Sequence, residues 1–266
     1  MNGFREDLYR GYVSRFRKNY LSRTDQARWS YTAWAERKYL PLLRGLSKDA
    51  PILELGCGPA YFLEFLRARG FSNAVGIDAS SEQISLALTR GLVVQQADVF
   101  QFFNENRKTY DAIVALDFLE HFARDELSEL IPMVFRSLNP GGRLIISTPN
   151  GQGLFAGEVI FGDLTHMTIF TPSSLAQLLT AHDFSEVQCR ETGPVAKNVA
   201  GFIRVAFWGG VRFMAKASRF VQTGKRQDIW TETFLCLAYR EDRPHGVSPD
   251  GSTNQAQNTD GDRRIP

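Results

Sequence analysis

The stretch Ile52–Leu66, ILELGCGPAYFLEFL, indicates the fold of this chain. A short apolar strand carries Glu54 into a turn that contains Gly56 and Gly58, and a helix-like pattern begins near Tyr61. Glycine allows the backbone to come close to a ligand, and a helix N-terminus presents free N–H groups. A strand, a glycine turn and a helix in this order therefore predict a site for a nucleotide-like ligand.

Strands and helices alternate beyond this stretch, which predicts an α/β fold with helices covering a parallel sheet. The strand-like runs are PILEL, NAVGID, LVVQQAD, AIVALD and RLIIST, followed later by SEVQCRE and ETFLCLAYR. Helix-like runs begin near Tyr61, Ser81, Asp125 and Pro172. Residues 151–171 contain four glycines and are interpreted as a loop or lid.

These patterns divide the chain into three parts. Residues 1–48 are interpreted as an N-terminal helical cap, residues 49–240 as the main domain, and residues 241–266 as a disordered tail. The domain has a helical insertion at 199–221, before its last strand.

The composition excludes several classes of protein. The 266 residues include 31 basic and 29 acidic side chains, and a net charge of +2 gives no reason to expect a nucleic-acid partner. Cys57, Cys189 and Cys236 match neither a disulfide framework nor a zinc pattern. Because we find no signal peptide and no transmembrane run, we expect a cytoplasmic location, with peripheral contact at a membrane as an option. The composition leaves the oligomeric state open.

The acid that precedes the glycine turn restricts the ligand. The third glycine of a dinucleotide fingerprint is replaced by Tyr61, and the carboxylate of Glu54 would repel a pyrophosphate. A carboxylate suits a ligand with an ammonium group and no phosphate, and S-adenosylmethionine is such a ligand. Asp78 and Asp98 end the second and third strands, where they could bind ribose hydroxyls and the adenine amino group.

With these motifs the chain resembles the class I S-adenosylmethionine-dependent methyltransferases. The matching runs are ILELGCGPA, VGIDASSEQI, QQADVF, YDAIVALDFLEHF and LNPGGRLIISTPN. The resemblance implies a doubly wound, Rossmann-like sheet of seven strands in the order 3-2-1-4-5-7-6, with the last strand antiparallel. It also implies a set of residues around the cofactor: Glu54, Gly56, Cys57 and Gly58 at the methionine end, Asp78 and Ala79 at the ribose, Asp98 and Val99 at adenine, and Asp117 and Phe118 beside the cofactor.

Two histidines are candidates for activating the methyl acceptor. A hydroxyl acceptor needs a base, and histidine suits this role near neutral pH. His121 follows the fourth strand at the mouth of the sheet, and packing or capping is the alternative role. His166 lies in GDLTH within the lid, where Asp163 could hold its tautomer; the alternative is that both residues only pin the lid.

The lid also suggests the class of acceptor. GDLTH and the following FTP-containing segment resemble a bacterial subgroup of these enzymes linked to polysaccharide and glycoconjugate assembly. Asp117, Glu120 and His121 also resemble an arrangement in some quinone O-methyltransferases, which would imply a divalent metal. We expect no metal here, because this arrangement also occurs in metal-free proteins.

The insertion before the last strand has the pattern of a basic amphipathic helix. On a helical wheel its four basic residues lie together and its large apolar residues cover much of the opposite side. Such a helix could rest on an anionic membrane. The alternative, which we favour from sequence, is that it packs on the domain and helps to roof the acceptor site.

The sequence therefore predicts an S-adenosylmethionine-dependent O-methyltransferase that acts on a sugar of a glycan or glycoconjugate precursor. The first alternative is a quinone or another small aromatic acceptor. A non-catalytic S-adenosylmethionine-binding module is the second, and a dehydrogenase comes last because Glu54 and Tyr61 oppose pyrophosphate binding.

Overall fold

A computed structural model describes residues 25–241, with side chains from residue 32 onward. The predictions for residues 1–24 and for the tail beyond residue 241 lie outside the described residues. The helices are α1 Asp25–Lys38, α2 Tyr61–Ala68, α3 Ser81–Leu88, α4 Val99–Glu105, α5 Arg124–Arg136, α6 Gly157–Phe161, α7 Pro172–Ala181 and α8 Val199–Thr223. The strands are β1 Ile52–Leu55, β2 Ala74–Asp78, β3 Val94–Gln96, β4 Tyr110–Leu116, β5 Leu138–Pro149, β6 Ser185–Glu191 and β7 Thr233–Tyr239.

The seven strands form one sheet in the order β3-β2-β1-β4-β5-β7-β6. Strands β1 to β5 pair in parallel, and β7 runs antiparallel to both β5 and β6. This arrangement confirms the fold expected from the resemblance. Of these strands only β7 is reversed, because β6 at the edge of the sheet is antiparallel to β7 and so runs in the same direction as β1 to β5.

Two apolar clusters cover the two faces of the sheet. Successive residues of β1 point to opposite faces, so Leu53 and Leu55 join one cluster while Ile52 joins the other. Ala35 and Tyr39, at the end of the N-terminal helical segment, belong to the second cluster, and the ring of Tyr39 packs edge-on against Phe62 of α2. The N-terminal segment therefore packs on the same face as α2.

Helix α4 was missed by the sequence analysis, which recognised no helix between β3 and β4. Its sequence, VFQFFNE, is short and rich in aromatic residues, which are only moderate helix formers. Asp98 caps its N-terminus by accepting from the backbone N–H groups of Phe100 and Gln101. Phe102 and Phe103 are buried in the core, so tertiary packing supports the helix.

Candidate active site

The candidate site lies along the edge of the sheet where the parallel strands end. The turn after β1, the acids after β2 and β3, the segment after β4 and the end of β5 all meet at this edge, which is where doubly wound sheets bind their ligands. The predicted cofactor residues are therefore brought together by the topology itself.

The turn after β1 has the backbone shape that only glycine adopts easily. Gly56 and Gly58 have φ angles of +62° and +53°, in the left-handed region. A Cβ atom on Gly56 would collide with the ring of Phe118. Cys57 between them is buried, and burial raises the pKa of its thiol, which favours a packing role over nucleophilic chemistry.

Glu54 is buried at the end of β1, and its carboxyl is only partly satisfied. The side chain is 4% exposed. Its Oε2 atom has no hydrogen-bond partner among the described residues. Burial raises the pKa of this carboxyl well above its ordinary value, and the negative charge of Asp78 raises it further. A buried acceptor without a partner is costly, so the ammonium group of S-adenosylmethionine fits here, where it would pair with the carboxylate.

Asp78 and Gln83 extend the polar lining of the site from β2. Asp78 accepts from the N–H of Gly58 at 2.9 Å and from the N–H of Ser80 at 2.8 Å. Its pKa is raised by burial, and these two bonds partly offset the effect. Gln83, which the sequence analysis did not single out, lies close to Gly58 and has a buried Oε1 without a partner in the described part of the chain. Both side chains lie where a ligand on the glycine turn would be held.

The remaining predicted cofactor residues end β2 and β3. Ala79 is exposed immediately after Asp78. Val99 is buried, while Asp98 is half-buried and uses its Oδ1 atom to cap α4. Helix capping accounts for the Oδ1 atom of this carboxylate. A contact between the other oxygen, Oδ2, and adenine stays a prediction.

The segment after β4 carries the next part of the site. Asp117 has a φ of +49°, and it accepts from the hydroxyl of Ser147 at the end of β5, at 3.1 Å. Phe118 lies with its ring against Gly56 and packs edge-on against Phe122. The strained turn therefore places an aromatic ring beside the methionine end of the predicted cofactor site.

Glu120 is the most deeply buried acid of this segment. It is 2% exposed, and its Oε2 accepts from the hydroxyl of Thr148 at 3.0 Å. Its Oε1 is buried without a partner among the described residues. Burial raises the pKa of the carboxyl well above its ordinary value, and the charge of Asp117 raises it further. The protein thus holds a carboxyl group that is prepared to receive a proton or a cation.

His121 is oriented by the lid. Its Nδ1 lies 2.9 Å from the hydroxyl oxygen of Thr165 and 3.2 Å from the carbonyl oxygen of the same residue. The Thr165 hydroxyl donates to Asp163 Oδ1 at 2.6 Å. Because a carbonyl only accepts, Nδ1 carries the proton and Nε2 keeps its lone pair.

His166 lies beside His121 in the same tautomer. Its Nδ1 is 3.2 Å from the carbonyl oxygen of Ile160, so that nitrogen also donates. This carbonyl takes the role that the sequence analysis assigned to Asp163, which instead supports His121 through Thr165. The two imidazole rings are 5.0 Å apart between centroids.

Glu120, His121 and His166 converge on one point. One ligand atom of each lies within 4.8 Å of the other two. A carboxylate with two imidazole nitrogens is a donor set that suits a divalent cation such as Zn²⁺. Asp117 does not belong to this group as the resemblance had implied, and His166 from the lid takes the third position. Our expectation that this site binds no metal therefore stays a prediction.

The lid is docked on this cluster by main-chain hydrogen bonds. The N–H groups of Met167 and Thr168 donate to the carbonyl oxygen of Glu120 at 2.7 and 3.0 Å. Several large apolar side chains of the lid remain exposed: Phe155, Phe161, Leu164, Met167 and Ile169. The lid therefore fixes the polar cluster and presents an apolar surface around it.

Comparison with protein families gives one match that covers most of the described domain. The family described as the methyltransferase domain matches residues 26–188. Among solved structures, an S-adenosylmethionine-dependent methyltransferase from Archaeoglobus fulgidus has a TM-score of 0.60 and 18% identity, over 80% of this chain and 94% of that chain. At this identity the likeness shows the fold alone.

Curated relatives are about 30% identical to this chain over the segments that align. The mitochondrial ubiquinone biosynthesis O-methyltransferase of Dictyostelium discoideum is 29% identical over 139 residues, or 47% of this chain and 41% of the relative. The mitochondrial enzyme of the same name from Rattus norvegicus is 30% identical over 154 residues, or 50% of this chain and 44% of the relative. The alignments thus cover somewhat less than half the length of these relatives.

Proposed function

This chain belongs to the methyltransferase domain family, with S-adenosylmethionine as its cofactor, and on this premise we propose that it methylates an oxygen atom of a small aromatic acceptor of the quinone type. From sequence we expected a glycan acceptor, whereas the two relatives named above are ubiquinone biosynthesis O-methyltransferases. Their names favour the alternative acceptor, and the chemistry of the site favours it independently.

The contact of Phe118 with Gly56 is the observation that carries this proposal. Phe118 touches the turn predicted to hold the methionine end, and Glu120 and His121 follow it within one short segment. In this proposal a proton acceptor therefore lies next to the methyl donor. In methyl transfer the protein mainly has to hold the two reactants in line and remove the proton of the acceptor.

The strength of this proton acceptor favours a phenolic hydroxyl over a sugar hydroxyl. A histidine has a pKa of about 6.5 and a phenol one of about 10, whereas water, the nearest reference for an alcohol, has one of about 15.7. An imidazole can share the proton of a phenol during the reaction much more easily than that of an alcohol. The rings of Phe118 and Phe122 and the apolar lid also suit a flat, apolar acceptor.

The cofactor supplies a methyl group that its positive sulfur already activates. In this proposal Nε2 of His121 takes the proton of the acceptor hydroxyl, while the methyl group would pass from the sulfur to that oxygen. Thr165 and Asp163 hold the Nδ1–H of the same ring and stabilise the charge that it acquires. His166, whose Nε2 is also free of a proton, orients the acceptor hydroxyl in this proposal.

The same cluster fits a divalent cation, because Glu120 Oε1 is a buried acceptor without a partner in the described structure and both histidines keep a lone pair at Nε2. Glu120, His121 and His166 would hold the ion, which would lower the pKa of a hydroxyl near it. Chelation tests this point. Loss of activity on chelation, with recovery on one divalent metal, would contradict our expectation of a metal-free enzyme.

The proposal is tested first by calorimetry and then by an acceptor screen. We expect S-adenosylmethionine and S-adenosylhomocysteine to bind and NAD not to bind, and we expect methyl transfer to ring hydroxyls of quinone-type phenols. The screen includes nucleotide-linked and lipid-linked sugars. Methyl transfer to a sugar and to none of the phenols would contradict the proposal and favour a glycan acceptor. Cofactor binding without turnover on any acceptor would indicate a regulatory module.

A further inference from the structure

Helix α8 presents a continuous apolar face to the outside. It runs from Val199 to Thr223, about 37 Å at 1.5 Å per residue. Within it only Gly201 is buried. Nine large apolar residues of α8 are exposed, and at 100° per residue eight of them fall within an arc of about 140°, while Val205 lies outside it: Val199, Phe202, Ile203, Phe207, Phe213, Met214, Phe220 and Val221.

From sequence we expected α8 to pack on the domain and to help roof the acceptor site, and the structure shows which side of the helix is partly buried. Trp208, Val211 and Ala215 are partly buried and lie opposite the exposed arc. Phe207 and Phe213 are 73% and 74% exposed. An exposed apolar surface of this size is typical of a binding surface.

The charges around this face have one sign. Residues 193–227 contain seven basic side chains and no acidic one. Among these basic residues, Arg212 pairs with Glu191 and Lys216 pairs with Asp228. Arg204 and Lys216 flank the apolar arc on its two sides, and Lys225 and Arg226 follow the helix.

From this combination we propose that α8 docks the protein onto the surface of a membrane that contains anionic lipid, with the apolar arc in the interfacial layer. Basic side chains at the flanks can extend to lipid phosphates while their stems stay among apolar groups. No described helix is long and apolar enough to cross a membrane, so the contact lies in the plane of the surface.

A second copy of the chain fits this face less well. A symmetric pair formed through α8 would bring the two basic segments together, and neither segment has an acid to pair across the contact. Anionic lipid complements this charge, whereas a second copy repeats it.

The docking surface is linked to the lid. The segment that follows α8 packs on the start of the lid, where Gln227 donates to the carbonyl oxygen of Gln152 at 2.9 Å and Leu154 N–H donates to the carbonyl oxygen of Trp230 at 2.8 Å. A membrane under α8 would thus lie next to the segment that carries His166. The inference goes beyond the proposed function and does not depend on the identity of the acceptor.

The test is co-sedimentation of the full chain with vesicles. We expect binding to equal parts of phosphatidylglycerol and phosphatidylcholine at low salt, weaker binding at high salt, and little binding to phosphatidylcholine alone. The variant F207S/F213S removes two exposed rings and should weaken binding about tenfold or more. The control L88S/V93S changes two exposed apolar residues elsewhere, at 55% and 65% exposure, and should bind as the unchanged protein does.

Three results would overturn the proposal: no binding to the anionic vesicles at low salt, equal binding by F207S/F213S, or a dimer in light scattering that this variant dissociates while vesicles are not bound. Thermal melting verifies that both variants fold. Calorimetry with S-adenosylmethionine should give the same affinity for both, which separates this test from that of the proposed function.

Discussion

Two buried carboxyl groups, Glu54 and Glu120, mark the two halves of the site at the scale of single residues. Each has one oxygen without a partner among the described residues, and each has a pKa raised mainly by burial. Burying a carboxyl oxygen without a partner lowers the stability of the fold, and this fold contains two such groups. Glu54 lies at the cofactor end and Glu120 beside the two histidines, so we infer that each is retained for what it binds.

The first prediction concerns Glu54. Replacing it with glutamine removes the charge that pairs with the cofactor ammonium, and a hydrogen bond to a charged group is worth about 1.5–3 kcal/mol. E54Q should therefore bind S-adenosylmethionine about tenfold to a hundredfold more weakly in calorimetry. E129Q changes an exposed acid on α5 and should leave the affinity unchanged; equal affinities for the two variants would rule out the assigned role of Glu54.

The second prediction concerns the chain of hydrogen bonds from Asp163 through Thr165 to His121. H121A should lower kcat by about 10²- to 10⁴-fold and leave cofactor affinity unchanged, because the ring does not touch the glycine turn in our proposal. T165V removes the hydroxyl between Asp163 and the ring and keeps a similar side-chain shape.

For T165V we expect a lower kcat and a shifted pH profile of kcat, because the imidazolium loses support. The same change at Thr180, an exposed residue of α7, is the matched control. An unshifted profile in T165V would mean that Thr165 only pins the lid.

At the scale of elements, the N-cap residue of α4 has a role in the structure that is observed and a role in ligand binding that we predict. Asp98 caps the helix through Oδ1, and the sequence analysis predicts that this side chain also meets adenine. A cap explains the acid without any ligand, so the two roles need separate tests. The lid shows the same combination, since the segment that carries His166 is also hydrogen-bonded to Glu120 by its backbone.

The third prediction separates the two roles of Asp98. Asparagine caps a helix about as well as aspartate, whereas alanine costs about 1 kcal/mol. D98N should therefore melt like the unchanged protein but bind S-adenosylmethionine more weakly, because an amide cannot replace the full charge. D98A should lose both stability and affinity. If D98N binds the cofactor normally, capping is the whole function of this residue.

At the scale of the whole molecule, the buried acids make stability depend on pH. A carboxyl whose pKa is raised in the folded state stabilises the fold fully below its ordinary value of 4.5, and this contribution is lost as the pH rises through the raised pKa. The fold therefore becomes less stable on the alkaline side wherever these groups have to ionise.

The fourth prediction follows for Glu120. E120Q cannot ionise and keeps an oxygen for the Thr148 hydroxyl, so it should be more stable than the unchanged protein by about 1–3 kcal/mol at alkaline pH. The difference in Tm should shrink toward acid pH, as measured by circular dichroism. Methyl transfer should fall in the same variant, and a difference in Tm that does not vary with pH would contradict the raised pKa.

The sequence by itself predicted which runs form the strands, where the glycine turn lies and which residues belong to the cofactor end of the site. These features are local: alternating apolar runs, a turn that needs glycine, and acids placed at strand ends whose meeting follows from the parallel topology. Glu54 and Asp78 could therefore be assigned to one place before any coordinates were known, and the family resemblance implied that Phe118 lies beside them. The helix after Asp98 was missed, because its stability comes from packing and not from propensity.

Only the tertiary structure decided how the lid meets the sheet and which way α8 faces. His166 joins Glu120 and His121, and Asp163 supports His121 through Thr165, because the lid folds back across the edge of the sheet. No periodicity encodes such a contact between distant segments. A helical wheel likewise shows that α8 has two faces, but which face is buried depends on what surrounds the helix.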